Sequence, residues 1–167
     1  MIRKSTAQDI DSILNLLEEG RKKMTAEGNL HQWKVGYPPR EQILKDVEKG
    51  VSYLMVRDGE PIATFVLAEG PDPTYLSIYE GHWLNDEPYA VIHRIASAPG
   101  VHGIMKEVLD FAFTQTGTLR IDTHKDNHTM QKLLNRYGFT YCGIIYLENG
   151  DSRLAFQKTL RNESHTH

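Results

Sequence analysis

Two glycines near the middle of the chain could bind a phosphate group through backbone atoms. The stretch HRIASAPGVHGIMKEVLDFA, from His93 to Ala112, passes from a strand-like run through a loop containing Gly100 and Gly103 into an amphipathic helix. A helix N-terminus offers unpaired N–H groups and the positive end of the helix dipole, which together can hold a pyrophosphate. An ordinary strand-to-helix turn has the same pattern, so both interpretations stay open at this point.

A second stretch, DTHKDNHTMQKLLNRYGF, places a polar residue directly before a helix. Its apolar residues recur at i, i+3, i+4 and i+7, which is typical of a buried helix face: Met130, Leu133, Leu134 and Tyr137. Asp126 or Asn127 is suited to be the N-cap of this helix. The amide of Asn127 could instead reach a ligand between two diverging strands, although the local pattern favours capping.

The eight histidines raise the question of a metal site. His124 and His128 lie four apart, but a helix is expected to begin between them, so they need not share a face. No cysteine cluster or His-Glu-x-x-His pattern supports zinc. The two histidines of the tail RNESHTH are as readily incidental as metal-binding. We therefore expect no metal.

Length and composition indicate one domain, residues 1–160, followed by a frayed tail at 161–167. The 167 residues carry a formal net charge of −3, which gives no electrostatic footprint for nucleic acid. There is no dense basic run for a membrane surface and no apolar stretch long enough for a span. The opening residues lack a signal-peptide core and Cys142 is the single cysteine, so we expect a reduced, cytoplasmic protein.

The predicted elements follow the order β-α-α-β-β-β-α-β-α-β-β. The clearest signals are a capping box at Thr6 and Asp9, a first-turn proline at Pro39 and a hairpin turn at Asp58-Gly59. A strand from Tyr89 to Ala96, a helix from about Gly103 and a strand from Leu119 to His124 form a βαβ unit. Residues 70–88 form a long irregular segment, which is uncommon unless it has a function. The fold class is α/β (mixed α+β).

The element order and these two stretches together resemble the GNAT superfamily of acyl-CoA-dependent N-acetyltransferases. The likeness spans Ile2 to Lys158, and its most specific part is NHTMQKLLNRYGF. The segments HQW, EGHWLNDEPYAVIHRIA and RIDTHKDN look like a bacterial subgroup whose acceptors are generally unassigned. The resemblance implies a central mixed, mostly antiparallel sheet of about seven strands, splayed at the cofactor cleft and flanked by about four helices.

The resemblance also implies a position for acetyl-CoA, in the cleft where the strands around Tyr89–Ala96 and Leu119–His124 diverge. The pantetheine arm and the thioester carbonyl would meet the backbone of Ile95, Ala96 and Ser97. The pyrophosphate would be bound by backbone N–H groups of the loop and first helical turn: Val101, His102, Gly103, Ile104, Met105 and Lys106. Asn127 would bond the pantetheine. The implied reaction is direct transfer of an acetyl group to a primary amine of a small molecule or peptide.

Three positions depart from the family pattern, and these departures motivate a second hypothesis. Of the three motif positions in the pyrophosphate loop, Gly100, Gly103 and Met105, only the central glycine is kept. Leu134 stands where many members have a tyrosine that protonates the departing thiolate. The alternative is therefore a GNAT-fold CoA- or ligand-binding module without transferase chemistry.

Candidate groups for proton transfer come from the long segment and from the strand after Gly138-Phe139. The base that deprotonates the incoming ammonium could be Glu80 or His82, acting through water. Cys142 is a candidate acid, although a free cysteine is more often a buried small hydrophobe. The segment's aromatic residues could wall an acceptor pocket, cover the open end of the sheet, or mediate self-association into a homodimer.

Overall fold

The computed structural model describes residues 1–160, and the expected frayed tail, 161–167, lies outside the described residues. A seven-stranded sheet has the order β1-β2-β3-β4-β5-β7-β6, and four helices accompany it. The strands are β1 Ile2–Lys4, β2 Ser52–Arg57, β3 Glu60–Glu69, β4 Ala90–Ser97, β5 Thr118–Thr123, β6 Thr140–Tyr146 and β7 Ser152–Thr159. The helices are α1 Ile10–Ala26, α2 Arg40–Glu48, α3 Ile104–Gln115 and α4 His128–Arg136. The predicted order of elements and the fold class are confirmed.

The chain divides into two compact units. The first unit comprises Met1–Ala68 and Ile92–Met105, and the second comprises Glu69–Val91 and the residues from Lys106 onward. The second unit includes the start of β4, which pairs in parallel with β5 through Ala90–Leu119 and Val91–Arg120. This parallel pair joined by α3 is the predicted βαβ connection.

A hydrophobic core in the first unit supports the second half of β4. Apolar residues of α1 recur at helical spacing and lie buried with residues from α2, β2, β4 and the connection between α1 and α2: Ile10, Ile13, Leu16, Leu17, Trp33, Ile43, Leu54 and Ala96. At Gly20 the helix passes so close to β4 that an added β-carbon would lie 2.8 Å from the Cβ of Ala96. A larger side chain at position 20 would therefore push α1 away from the strand.

Antiparallel pairing organises the second unit. β5 pairs with β7 from Thr118–Thr159 to Thr123–Leu154, and β6 pairs with β7 with an irregularity between Tyr141 and Gly143. α4 ends in a complete Schellman motif, because the N–H of Phe139 donates to the carbonyl of Leu134 at 2.9 Å and that of Gly138 to Asn135 at 3.2 Å. Gly138 is thus the C′ residue that the sequence predicts.

The boundaries differ from the sequence-based expectations by about one residue, with one change of role. Pro39 is not a first-turn residue but occupies the N-cap position of α2, with extended backbone angles. Its fixed φ near −68° suits either position, so sequence could not separate them. The long segment is also less irregular than expected, since it contains a 3₁₀ turn at Pro73–Tyr75 and a bridge between Tyr79 and Ile144.

Candidate functional site

In β4, the strand expected to meet the thioester, one residue has an unusual backbone conformation. Arg94 has φ of +50°, in the left-handed region that residues with a β-carbon rarely adopt. The next residues are Ile95 and Ser97, which are half-buried, and Ala96, which is buried. A left-handed residue inside a strand changes the direction of the peptide groups that follow it. Arg94 therefore lies immediately before the three residues that the family resemblance assigns to the thioester.

The loop before α3 contains two glycines in the left-handed region. Gly100 and Gly103 both have φ of +76°, and a β-carbon added to either would meet no atom within 4 Å. The backbone around both glycines is thus open, and α3 begins directly afterwards at Ile104. The first-turn N–H groups of such a helix can hold phosphate oxygens.

Met105 does not crowd this loop. Its side chain is only 7% exposed and lies in the protein interior with other residues of one face of α3: Val108, Leu109 and Ala112. The departure from the family pattern at position 105 is therefore an inward-facing substitution. The outer surface of the loop is formed by the exposed residues His102 and Gly103.

Arg57 is a further residue at this loop that the sequence did not identify. Its Nη2 donates a hydrogen bond to the carbonyl oxygen of His102 at 3.1 Å. The two residues are 45 positions apart, and Arg57 merely ends β2 before a tight turn, so no sequence pattern connects them. The contact fastens the loop and brings a permanent positive charge to it.

In the second unit, Asn127 is the N-cap of α4, and Asp126 is not. The Asn127 Oδ1 accepts a hydrogen bond from the N–H of Met130 at 3.0 Å, and the residue is 7% exposed. The favoured interpretation from sequence, capping, is thus confirmed. Leu134, at the family's usual tyrosine position, is fully buried, so α4 supplies core packing there.

Two reciprocal backbone hydrogen bonds fix the long segment beside Glu80. Tyr79 and Ile144 exchange N–H···O=C bonds of 2.8 Å in both directions. Gly81 then approaches the carbonyl of Cys142 so closely that any β-carbon would collide with it. Between these contacts Glu80 has φ of +55° and an exposed side chain. The backbone of Glu80 is therefore fixed while its side chain is exposed to solvent. His82, two residues later, is also exposed.

A buried arginine attaches the later part of the same segment to β5 and β7. The Arg120 guanidinium lies 4.1 Å from the ring centroid of Trp83 and 4.0 Å from that of Tyr89. It donates to the carbonyl of Asn85 at 2.9 Å and to Gln157 Oε1 at 3.3 Å. Burial lowers the pKa of Arg120 from its ordinary value, against the raising effect of Tyr89. The planar cation thus links two rings and two strands.

Tyr75 is a second anchor of this segment rather than an exposed pocket wall. It is 1% exposed, and its hydroxyl donates to Asp122 Oδ2 at 2.6 Å. Burial, followed by the Asp122 charge, raises the pKa of Tyr75 well above its ordinary value. Tyr75 and Trp83 are in ring contact, whereas Tyr79 is half exposed. The aromatic residues therefore divide into buried anchors and exposed side chains.

Cys142 is a buried thiol. It is 5% exposed, and its Sγ donates to the carbonyl of Thr140 at 3.4 Å. Burial raises the pKa of the thiol, and the Arg120 charge opposes this. The thiol is therefore protonated at neutral pH. A general acid needs this protonated form, whereas a nucleophile needs the thiolate.

Within residues 1–160 the protein has neither a candidate metal site nor a candidate membrane-spanning helix. No group of three or more His, Cys, Asp or Glu side chains in this part of the chain could hold a metal ion. None of the helices described here has the length and apolar character needed to cross a bilayer.

Comparison with known proteins gives the family. No family model and no curated protein matches the sequence. Among solved structures, an acetyltransferase of the GNAT family from Streptococcus agalactiae 2603 is 33% identical with a TM-score of 0.87, covering 97% of this chain and 96% of that one. A GNAT-family acetyltransferase from Listeria monocytogenes 4b F2365 is 20% identical with a TM-score of 0.71, covering 96% and 94%. The NatC complex bound to Gag peptide and CoA is 14% identical with a TM-score of 0.64, covering 96% and 98%.

The mixed sheet, the βαβ unit and the glycine loop before α3 define an acyltransferase fold, and the identity to the streptococcal protein extends over nearly the whole of both chains. The chain belongs to the GNAT family of acetyltransferases. It is accordingly an N-acetyltransferase that uses acetyl-CoA and acts on an amine acceptor.

The structure brings some of the predicted site residues together within each unit. In the first unit β4 leads directly into the glycine loop, so the two expected cofactor-binding segments are contiguous. In the second unit Glu80 and Cys142 come from neighbouring segments, while Asn127 caps α4. The sequence does not predict the contacts of Arg57, Arg94 and Arg120, because their partners are distant along the chain.

Proposed function

We propose that this enzyme transfers the acetyl group of acetyl-CoA directly to a primary amine of a small molecule or peptide. The observation that carries the proposal is the 33% identity to a GNAT-family acetyltransferase over nearly the full length of both chains. Acetyl-CoA supplies an activated acyl carbon. The amine nitrogen forms the new C–N bond and the C–S bond breaks. From ammonium to amide the nitrogen loses two protons, one to the base before attack and one after the C–N bond forms. The thiolate gains one proton, so the reaction releases one proton to solvent.

The backbone of Ile95, Ala96 and Ser97 is our candidate for polarising the thioester carbonyl. N–H donors aimed at a developing negative charge are among the strongest catalytic devices, because they need no reorganisation during the reaction. The left-handed residue just before them supports this assignment, since strained backbone is retained where surrounding structure enforces it.

The loop from Val101 to Lys106 is our candidate for the pyrophosphate. Support comes from the open backbone at Gly103, the helix that starts at Ile104, and the inward-facing Met105. These features fit the group, since the space beside the Gly103 backbone is open and the first turn of a helix can hold phosphate oxygens. Arg57 adds a positive charge next to the loop. Asn127 remains our candidate for the pantetheine.

Glu80 is our preferred base, and His82 is the alternative. A base must be held in place to accept a proton efficiently, and the backbone on both sides of Glu80 is fixed by Tyr79 and Gly81. The departing thiolate takes its proton from solvent or from Cys142. We place the enzyme in the cytoplasm because its single cysteine is a free thiol.

The test is a panel of primary amines and peptides, read by thiol release and by the mass of the product. We expect one amine class to support turnover, with Glu80→Gln lowering kcat at least tenfold. His82→Asn tests the alternative base, and Glu148→Gln, an exposed residue in the β6–β7 turn, controls for loss of one charge. Binding of CoA without amine-dependent release across the panel would instead support the binding-module hypothesis.

A further inference from the structure

The left-handed residue of β4 is held by a buried ion pair. Arg94 Nε and Nη2 donate to Asp46 Oδ2 and Oδ1 at 2.9 and 2.8 Å, in the bidentate geometry that fixes a guanidinium most firmly. The Arg94 side chain is 16% exposed and that of Asp46 is 4% exposed. Water therefore has little access to the charged atoms of this pair.

The carboxylate itself is fixed within α2. Gln42, one helical turn earlier, donates its Nε2 to Asp46 Oδ1 at 3.0 Å. The carbonyl of Asp46 accepts the N–H of Val51 at 3.1 Å, which ties the end of α2 to the start of β2. We refer to Gln42, Asp46 and Arg94 as the β4 clamp. All three residues belong to the first unit.

The backbone conformation of Arg94 is energetically unfavourable for an arginine. A residue with a β-carbon is disfavoured in the left-handed region, and it persists there only when its surroundings enforce it. Glycine would take this conformation without that cost. Here an arginine occupies the position, and its side chain makes the bidentate pair just described.

We propose that the β4 clamp is a positioning device for acetyl transfer. This inference rests on the proposed role of Ile95–Ser97 in polarising the thioester carbonyl. Because Arg94 directly precedes these residues, its backbone angles determine where their N–H groups point. Asp46 and Gln42 act on the reaction only through Arg94, by keeping it in the left-handed conformation.

Two substitutions of Arg94 separate conformation from charge. Arg94→Ala removes the side chain that is held but keeps the β-carbon, so the backbone relaxes out of the left-handed region. Arg94→Gly also removes the ion pair but allows that region freely. We expect Arg94→Ala to lower kcat about 100-fold, similar to the loss of an oxyanion donor, and Arg94→Gly to retain at least ten times the kcat of Arg94→Ala.

Asp46→Asn tests the acidic partner, with Asp11→Asn as its matched control. The control breaks the exposed pair of Asp11 with Arg40, whose side chains are 85% and 58% exposed, in the same unit. We expect Asp46→Asn to lower kcat at least tenfold and Asp11→Asn to leave it within twofold of the wild type. For Arg94→Ala and Asp46→Asn the Kd of CoA, which keeps the pantetheine but lacks the acetyl carbonyl, should rise by a smaller factor than the factor by which kcat falls.

The outcomes are distinguishable. Equal kcat losses for Arg94→Ala and Arg94→Gly, or wild-type kcat in a folded Asp46→Asn, would overturn the clamp. So would a parallel loss of CoA affinity, which indicates general disruption of the unit. If the wild type shows no amine-dependent transfer at all, it is the proposed function that fails. Thermal unfolding of each variant identifies any that do not fold. If the Arg94 variants do not fold, Asp46→Asn, which keeps the size of the side chain, still tests the clamp.

Discussion

Gly103 and Gly100 provide a matched pair for testing the phosphate loop. Both have φ of +76°, and a β-carbon added to either meets nothing within 4 Å. Alanine at either position therefore has the same cost, the left-handed penalty of about 1–2 kcal/mol, with no clash added. For a protein of this size each kcal/mol lowers Tm by roughly 2–4 °C, so the two variants should lose similar amounts.

The effect on CoA binding should differ between the two variants. Only Gly103 lies within the segment that we assign to the pyrophosphate, directly before the first residue of α3. A methyl group there keeps the phosphate from its closest approach and weakens at least one hydrogen bond to a charged group, worth about 1.5–3 kcal/mol. The Kd of CoA should thus rise about 10- to 100-fold in Gly103→Ala and stay within twofold in Gly100→Ala.

The assay is calorimetric titration of each variant with CoA, alongside thermal unfolding without ligand. Equal Tm losses with unequal Kd values support a phosphate site at Gly103. If Gly103→Ala binds CoA as tightly as the wild type, the loop is an ordinary strand-to-helix turn. If both variants lose affinity equally, the effect comes from loop conformation and the assignment to Gly103 is wrong.

Three further predictions concern the framework. Arg120→Ala should lower the free energy of unfolding by about 2–4 kcal/mol, because two ring contacts and two hydrogen bonds are lost. In urea titrations Arg120→Lys should recover less than half of this lost free energy, because an ammonium cannot reproduce the planar contacts of the guanidinium. Cys142 should react with a thiol reagent only after unfolding, since burial raises its pKa, and rapid reaction of the native protein would contradict the structure. The hydrogen bond from Arg3 lowers the pKa of Asp9 from 3.8 to about 2, so this carboxylate stabilises the fold above pH 3.8 and loses the effect as pH falls towards 2. Because the Arg3 side chain is 39% exposed, solvent screening leaves about 1 kcal/mol, and Asp9→Asn should cost that amount at pH 7 and progressively less below pH 4.

The sequence predicts the framework well because its signals are local. The hairpin at Asp58-Gly59, the capping box at Thr6 and the Schellman glycine at Gly138 each depend on residues within a few positions of one another. Turn chemistry and hydrophobic period specify such features without knowledge of the rest of the chain. The element order follows from them, and the family resemblance rests on this order together with the stretches from His93 to Ala112 and from Asp122 to Phe139.

The details of the candidate site depend on contacts between distant residues. Arg94 and Asp46 are 48 positions apart, and Arg120 meets Asn85 and Gln157 at separations of 35 and 37. A lone arginine in a strand has no pattern that reveals its partner. The left-handed φ of Arg94 was equally hidden, since turn-forming residues such as glycine or asparagine usually mark it.

The most direct test of the central claim is the titration of the wild-type protein with acetyl-CoA, together with steady-state thiol release in the presence of an accepted amine. An acetyl-CoA-dependent N-acetyltransferase binds acetyl-CoA at one site per chain and releases one thiol for each acetylated amine. Absence of binding at millimolar acetyl-CoA would contradict the claim.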